Sequence, residues 1–295
     1  MKKILTTAIL CAGLVGFTAC DSFLDEDPKS SLTLDTYYKT SADIIGNVNY
    51  LYRDGAPDKM GNMTGAYRGS SLSVMNMVTG YFVNEYEGQE VDCSYARQLT
   101  RQDFTQSCCN YLTNDTWKSC YKSINVANAV IKYVDGVEMD NQAQYKAEAR
   151  FFRALNYFYL VKMFGDVPMV TEPTEDATLV EYPTRTAASE VFNTVIIPDL
   201  QFAVENLPNA TFAGNSHRVT KYAADMLLAD VYMRLGEYAN AVTPLKDVIN
   251  SGKFALATND NLAEGSAFNK LRTTDDLPEV IYCLLYTSPS PRDGA

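Results

Sequence analysis

The stretch from 141 to 165 constrains this chain more than any other. Ala147, Phe151, Ala154, Phe158 and Val161 recur at spacings of four and three, the period of one helical face. A second stripe, Tyr145, Ala149, Phe152, Leu155 and Tyr159, runs beside the first. Two apolar stripes on one helix demand neighbours on two sides, as in stacked helices. Lys146, Arg150 and Arg153 are left to a third, polar face. Gly165 should end the helix, and Pro168 should prevent its resumption.

Other segments repeat the pattern more weakly. Residues 33–53 read as one helix opening near Thr33 or Asp35, with Ile44, Ile45, Val48, Leu51 and Tyr52 on its apolar face. Gly55-Ala56-Pro57 should stop it. Asn114 or Asp115 can cap a helix from Trp117 to Val134 carrying Tyr121, Ile124, Ala127, Val130 and Ile131. Residues 187–206 read as a helix interrupted or kinked at Pro198. Between these helices, about 55–113 reads as a long loop insertion with short helical pieces. Gly61, Gly65, Gly69, Gly80 and Gly88 punctuate it. Insertions of this length inside a helical domain are functional or disordered.

Residues 220–251 look like one repeat unit. Thr220 can cap a helix from Lys221 to Leu235, and Gly236 makes the turn. Leu228, Ala229 and Tyr232, then Ala241 and Leu245, fall where a tetratricopeptide repeat packs its paired helices. A generic helical hairpin would satisfy the same spacing. Such repeats bury their faces by stacking, so a second pair is required. The helices over 115–134 and 143–165 are the candidates. The expected fold class is therefore mostly α, a tetratricopeptide-like helical repeat scaffold with long irregular loops.

Composition removes several function classes. The chain has 295 residues, 46% of them hydrophobic, enough for a sizeable core in one large domain or two. Its net charge of −11 argues against a nucleic-acid partner and against basic-patch docking on anionic lipid. His217 is the single histidine, which argues against histidine zinc sites and histidine acid–base networks. No phosphate-binding glycine loop, nucleophile elbow or metal-ligand cluster occurs. The expectation is no catalytic residue, no metal and no cofactor.

The N-terminus reads as an address. Lys2 and Lys3 precede a short apolar run from Ile4 to Phe17, too short to span a bilayer. Thr18 and Ala19 are small, as a cleavage site needs. Phe17-Thr18-Ala19-Cys20 resembles a bacterial lipoprotein box, which implies lipidation of Cys20; an ordinary secretory signal is the alternative. Removing residues 1–19 takes two lysines and moves the net charge from −11 to −13. Residues 20–32 then form an acidic linker with Asp25-Glu26-Asp27. Cys93, Cys108, Cys109 and Cys120 are either oxidised in an exported chain or buried as thiols. No C-x-x-C pair supports a zinc ribbon.

Four stretches together resemble the SusD/RagB family of Bacteroidetes surface lipoproteins. They are Cys20-Asp21-Ser22-Phe23-Leu24-Asp25 with Pro28; Trp117 with Tyr121, Ile124, Asn125 and Ala127-Asn128; Ala147-Glu148-Ala149-Arg150-Phe151-Phe152-Arg153-Ala154 running to Phe164-Gly165-Asp166-Val167-Pro168; and Arg218 with Thr220-Lys221, Ala223-Ala224 and Leu227-Leu228-Ala229. The resemblance covers roughly 20–255, within a helical domain read as 33–282. It implies an outer-membrane lipid anchor and capture of an oligosaccharide or polysaccharide, in some members a peptide. It also implies a partner, a SusC-like TonB-dependent transporter that the protein caps. Members of the family run past this length, and their later half supplies part of the ligand surface. Residues 283–295, with Ser288-Pro289-Ser290-Pro291, are expected to be a non-native tail.

Sugar recognition needs flat apolar faces for pyranose C–H groups and polar groups for hydroxyls. The candidate ligand residues are Tyr67, Arg68, Tyr81, Asn84, Tyr86 and Tyr95. The competing role for each tyrosine is to pack the loop onto the helices. Arg150 and Arg153 are either ligand contacts or ion pairs that fix helix packing, and the second is favoured. Glu148 with Glu85 could form a glycosidase pair only if both faced one sugar. His217 reads as a loop residue before a helix cap. The rivals to glycan capture are a peptide- or protein-binding scaffold and a surface glycosidase.

Overall fold

The computed structural model of the chain describes residues 34–54, 101, 116–174, 183–259, 265–274 and 276–282. The chain divides into two units, Met1–Tyr37 and Tyr38–Ala295. In the first, the described residues form one short helix, α1 (Leu34–Tyr37). The second holds α2 (Ser41–Asp54), α3 (Thr116–Tyr133) and α4 (Gln142–Phe164). Then come α5 (Ala188–Val191), α6 (Ile197–Asn206), α7 (Lys221–Arg234), α8 (Tyr238–Asn250) and α9 (Ala267–Thr273). The architecture is helical, with no named strand among the described residues.

The expected helix over 33–53 is split at 38–40. The reason is a capping box in mid-sequence. The Thr40 N–H donates to Asp43 Oδ2 at 2.8 Å, and the Asp43 N–H reaches back to Thr40 Oγ1 at 3.4 Å. That reciprocal pair satisfies two backbone donors and starts a new helix at Ser41. Ile44, Val48 and Leu51 are then fully buried.

α3 and α4 are antiparallel neighbours, and α4 also packs on α6. α6 packs on α7, and α7 on α8, so helix pairs follow one another as stacked repeats do. Both apolar stripes of α4 find partners. Ala147, Phe151, Ala154, Phe158 and Val161 are buried, and so are Ala149, Phe152 and Leu155. Gly165 closes the helix at φ 70°, a left-handed value that glycine adopts without a Cβ penalty, and its N–H donates to the Val161 carbonyl. Gly236 makes the turn between α7 and α8 at φ 75°, its N–H donating to the Met233 carbonyl.

The third face of α4 is polar but dry: Arg153 is only 8% exposed, in keeping with the ion-pair role favoured for it. Two expectations need correction. The interruption in 187–206 is not a kink at Pro198 but a π-helical turn over Phe192–Ile196, just before it. The Ile197 N–H there donates five residues back, to Phe192, so the helix absorbs an extra residue before the proline that cannot donate. Thr220 does occupy the N-cap of α7 with extended φ and ψ, but its hydroxyl makes no capping bond. That hydroxyl oxygen is buried without a hydrogen-bond partner among the described residues.

Candidate functional site

Two buried charge clusters organise the described part of the molecule. In the first, Arg153 of α4 grips Asp199 of α6 with both ends of its fork, Nε to Oδ2 at 2.6 Å and Nη2 to Oδ1 at 2.9 Å. Its Nη1 donates to Asn128 Oδ1 of α3 at 2.9 Å. Three helices are tied at one guanidinium. Burial pushes the Asp199 carboxyl up, and the Arg153 bond and charge oppose that push. Arg150 lies over the Phe202 ring at 4.3 Å and contributes charge at 3.7 Å from Asp199.

In the second cluster Glu148 is completely buried. It accepts from Arg218 Nη2 at 2.5 Å, from Tyr52 at 2.8 Å and from Gln144 at 3.0 Å. Arg218 also donates to Asn49 Oδ1 at 2.9 Å and stacks 4.6 Å over the Tyr52 ring. The Tyr52 hydroxyl in turn accepts the Val219 N–H at 3.0 Å. Burial first, and the Glu148 charge second, hold the Tyr52 hydroxyl well above the ordinary phenol range. Burial is the largest single influence and works against the Arg218 charge, but the bond to Glu148, its charge and those of Tyr52 and Tyr145 together outweigh it and raise the guanidinium further. This cluster joins α2, α4 and the loop that leads into α7.

A third device holds an extended segment without a sheet. From 167 to 174 the backbone is held from two sides. Val167 exchanges both hydrogen bonds with Thr186 in an isolated antiparallel bridge. The even positions turn toward α3 and α4. Tyr121 donates to the Pro168 carbonyl, and Tyr157 both donates to the Val170 carbonyl and accepts the Val170 N–H. Asn128 donates to the carbonyls of Val170 and Glu172, and Asn125 accepts from Thr174. Side chains thus supply the ladder that a neighbouring strand would supply. Burial pushes the Tyr157 hydroxyl up to about 12, so it stays protonated and keeps donating.

The last feature is a cavity of about 180 Å3. Phe212, Phe254, Leu277, Pro278 and Val280 wall it, with Lys253 and Asp276 also lining it. His217 sits beside it, its Nε2 2.7 Å from Asp276 Oδ1. Among the described residues no group of histidine, cysteine and carboxylate side chains could hold a metal ion. No described helix is long and apolar enough to cross a membrane.

The candidate ligand residues Tyr67, Arg68, Tyr81, Asn84, Tyr86 and Tyr95 lie outside the described residues, as do Cys20, Glu85 and the segment 283–295. Cys120, on α3, is fully buried. The ion-pair role favoured for Arg153 is what the structure shows. Glu148 is no candidate acid for a sugar, because it is sealed and occupied by Arg218, Tyr52 and Gln144. His217 lies in the loop before α7, as expected. Asn128 and Asp199 were missed as organising residues. Their spacing in sequence carries no signal, since each acts across helices.

Comparison with known proteins adds what geometry cannot. Residues 22–233 match a SusD-like family described as starch-binding and associating with the outer membrane. SusD-like protein P2 of Formosa agariphila is 29% identical over 254 residues, covering 85% of this chain and 47% of its own length. A solved SusD superfamily protein from Parabacteroides distasonis is 26% identical with a TM-score of 0.60, covering 72% of this chain and 45% of that one. A solved laminarin-binding SusD-like protein is 25% identical with a TM-score of 0.58, covering 73% of this chain and 44% of that one. The chain spans about half the length of the curated relatives it matches.

Proposed function

This chain belongs to the SusD-like family, and on that premise we propose that its protein captures an oligosaccharide at the outer surface and hands it to a SusC-like TonB-dependent transporter. The observation that carries the proposal is the family match over residues 22–233, joined to the stacked-helix scaffold it predicts. A solved relative that binds laminarin supports a glucan-type ligand. Lipidation at Cys20 anchors the protein, because two or more acyl chains hold a protein stably on a membrane. Tyr67, Arg68, Tyr81, Asn84, Tyr86 and Tyr95 form part of the ligand surface, stacking on sugar rings and bonding their hydroxyls. The protein performs no chemistry on the glycan.

Native affinity electrophoresis through gels containing laminarin or starch tests this reading. Retarded migration that Tyr81→Ala and Tyr86→Ala abolish is the expected outcome. Migration unchanged in both glycans, or release of reducing sugar from either, counts against it.

A further inference from the structure

We propose that residues 276–282 form a strap latched to the helical body by His217 and Asp276, and that this latch positions the strap as one wall of the apolar cavity. The proposal is independent of which ligand the protein takes.

Among the described residues, mid-strap hydrogen bonds run to the segment after α8. The Ala255 N–H donates to the Pro278 carbonyl at 3.2 Å, and the Ala257 N–H to Glu279 Oε2 at 2.7 Å. Both partners belong to the extended segment after α8, where Leu256 is 79% exposed. Strap and segment are therefore tied to one another across the surface. That segment is held on α7 by Phe254 against Tyr222, at 5.2 Å between centroids, while among the described residues the strap's own hydrogen bonds and ring contacts to the body lie at its two ends. At the far end, the Tyr282 ring meets Phe212 and Phe151 edge-on, at 5.6 and 5.8 Å between centroids. Phe151 is a core residue of α4, so this end is an apolar rivet. At the near end stands the polar pair of His217 and Asp276.

The loop that carries His217 is built to present it. Ser216 and His217 both adopt left-handed φ, 52° and 60°, a conformation costly for residues other than glycine. Strain of this kind persists where surrounding bonds over-determine it. Here Asn215 donates to the carbonyls of Arg218 and Val219, and Arg218 is clamped by buried Glu148. The result aims the imidazole at Asp276 and lays it edge-on against Phe212, 5.0 Å away. One side of the latch is rigid and the other belongs to the strap. Release at Asp276 frees the near end of the strap and loosens its cover over Phe212.

Hydrogen exchange read by mass spectrometry tests this with the chain itself. The variants are Asp276→Ala, His217→Ala and the double substitution. Partly exposed pairs contribute modestly, so exchange in 276–280 and in 211–213 should quicken about two- to fivefold. Exchange in α4 should not change, and the double variant should match either single one. Unchanged exchange in both segments overturns the latch. So does equal acceleration in α4, which would mean general destabilisation, or additive effects in the double variant.

Discussion

α4 and α8 are both helices of the stacked scaffold, yet they treat water in opposite ways. Ile249 on α8 is 75% exposed, while Arg153 on α4 is 8% exposed. α4 is enclosed along its middle, so its polar residues Glu148, Arg153 and Asn156 are buried with the phenylalanines. α8 closes the described stack. Ala241, Pro244 and Val248 face α7, while Tyr238, Val242 and Ile249 face outward. Position in the stack, more than residue type, decides which side chains are dry. An enclosed helix must pair its charges internally, and an end helix need not hide its apolar groups.

The largest effect should follow from stranding a charge inside the enclosed region. Arg153→Ala leaves Asp199 buried without its fork, a loss of about 3–5 kcal/mol in urea unfolding. Arg153→Met with Asp199→Leu removes both charges and should recover most of that loss. A single-variant cost under about 1 kcal/mol would break the contrast between the helices. Next in size is Arg218→Ala. Glu148 keeps Tyr52 and Gln144 as donors, so the expected cost is smaller, about 2–3 kcal/mol. Calorimetric melting of the two single variants side by side gives the ranking.

Adjacent residues on α8 sharpen the same comparison. Ala241 is 2% exposed and Val242 is 44% exposed. Ala241→Leu overfills the close approach to α7 and should cost about 1–3 kcal/mol. Val242→Lys meets solvent and should stay within about 0.5 kcal/mol of the parent. Urea midpoints of the two variants check this; equal losses would mean that the outer face of α8 is packed after all.

Periodicity made most of the scaffold legible. The two stripes of α4, the Gly165 stop and the pairing of α7 with α8 about Gly236 all follow from spacing and turn chemistry. What escaped was pairing at a distance. Arg153 sits on the same sequence face as Lys146, whose ammonium bonds to Asp135 at a 63% exposed carboxylate. Nothing local separates the two. The difference lies in Asp199, 46 residues away, and in Asn128 on α3. The extended segment 167–174 escaped for the same reason, since its ladder is made of side chains from two helices. The family resemblance was legible because its motifs are contiguous. The candidate ligand tyrosines carry no such internal check, since sugar-binding and packing tyrosines look alike in sequence.

The smallest expected effects concern two helix starts that look alike in sequence. Thr40 and Thr220 both occupy N-cap positions, but only the first bonds as a cap. Thr220→Val replaces a buried, unpartnered hydroxyl by a methyl of similar shape, and should leave stability unchanged or slightly raised. Asp43 behaves differently because its carboxylate accepts from Thr40 Oγ1 at 2.6 Å and from the Thr40 N–H. Those bonds, the hydroxyl one foremost, hold its carboxyl below the ordinary aspartate value of 3.8. A carboxyl lowered on folding stabilises the native state above its unfolded pKa. That contribution disappears as pH falls through the lower, folded value. Amide exchange at Ser41–Ile44 should therefore stay protected near pH 5 and lose protection selectively below about pH 3.8. Asp43→Asn should flatten that dependence, whereas Thr220→Val should leave the pH profile of α7 untouched. If both helix starts respond to acid alike, the capping box is not what divides α1 from α2.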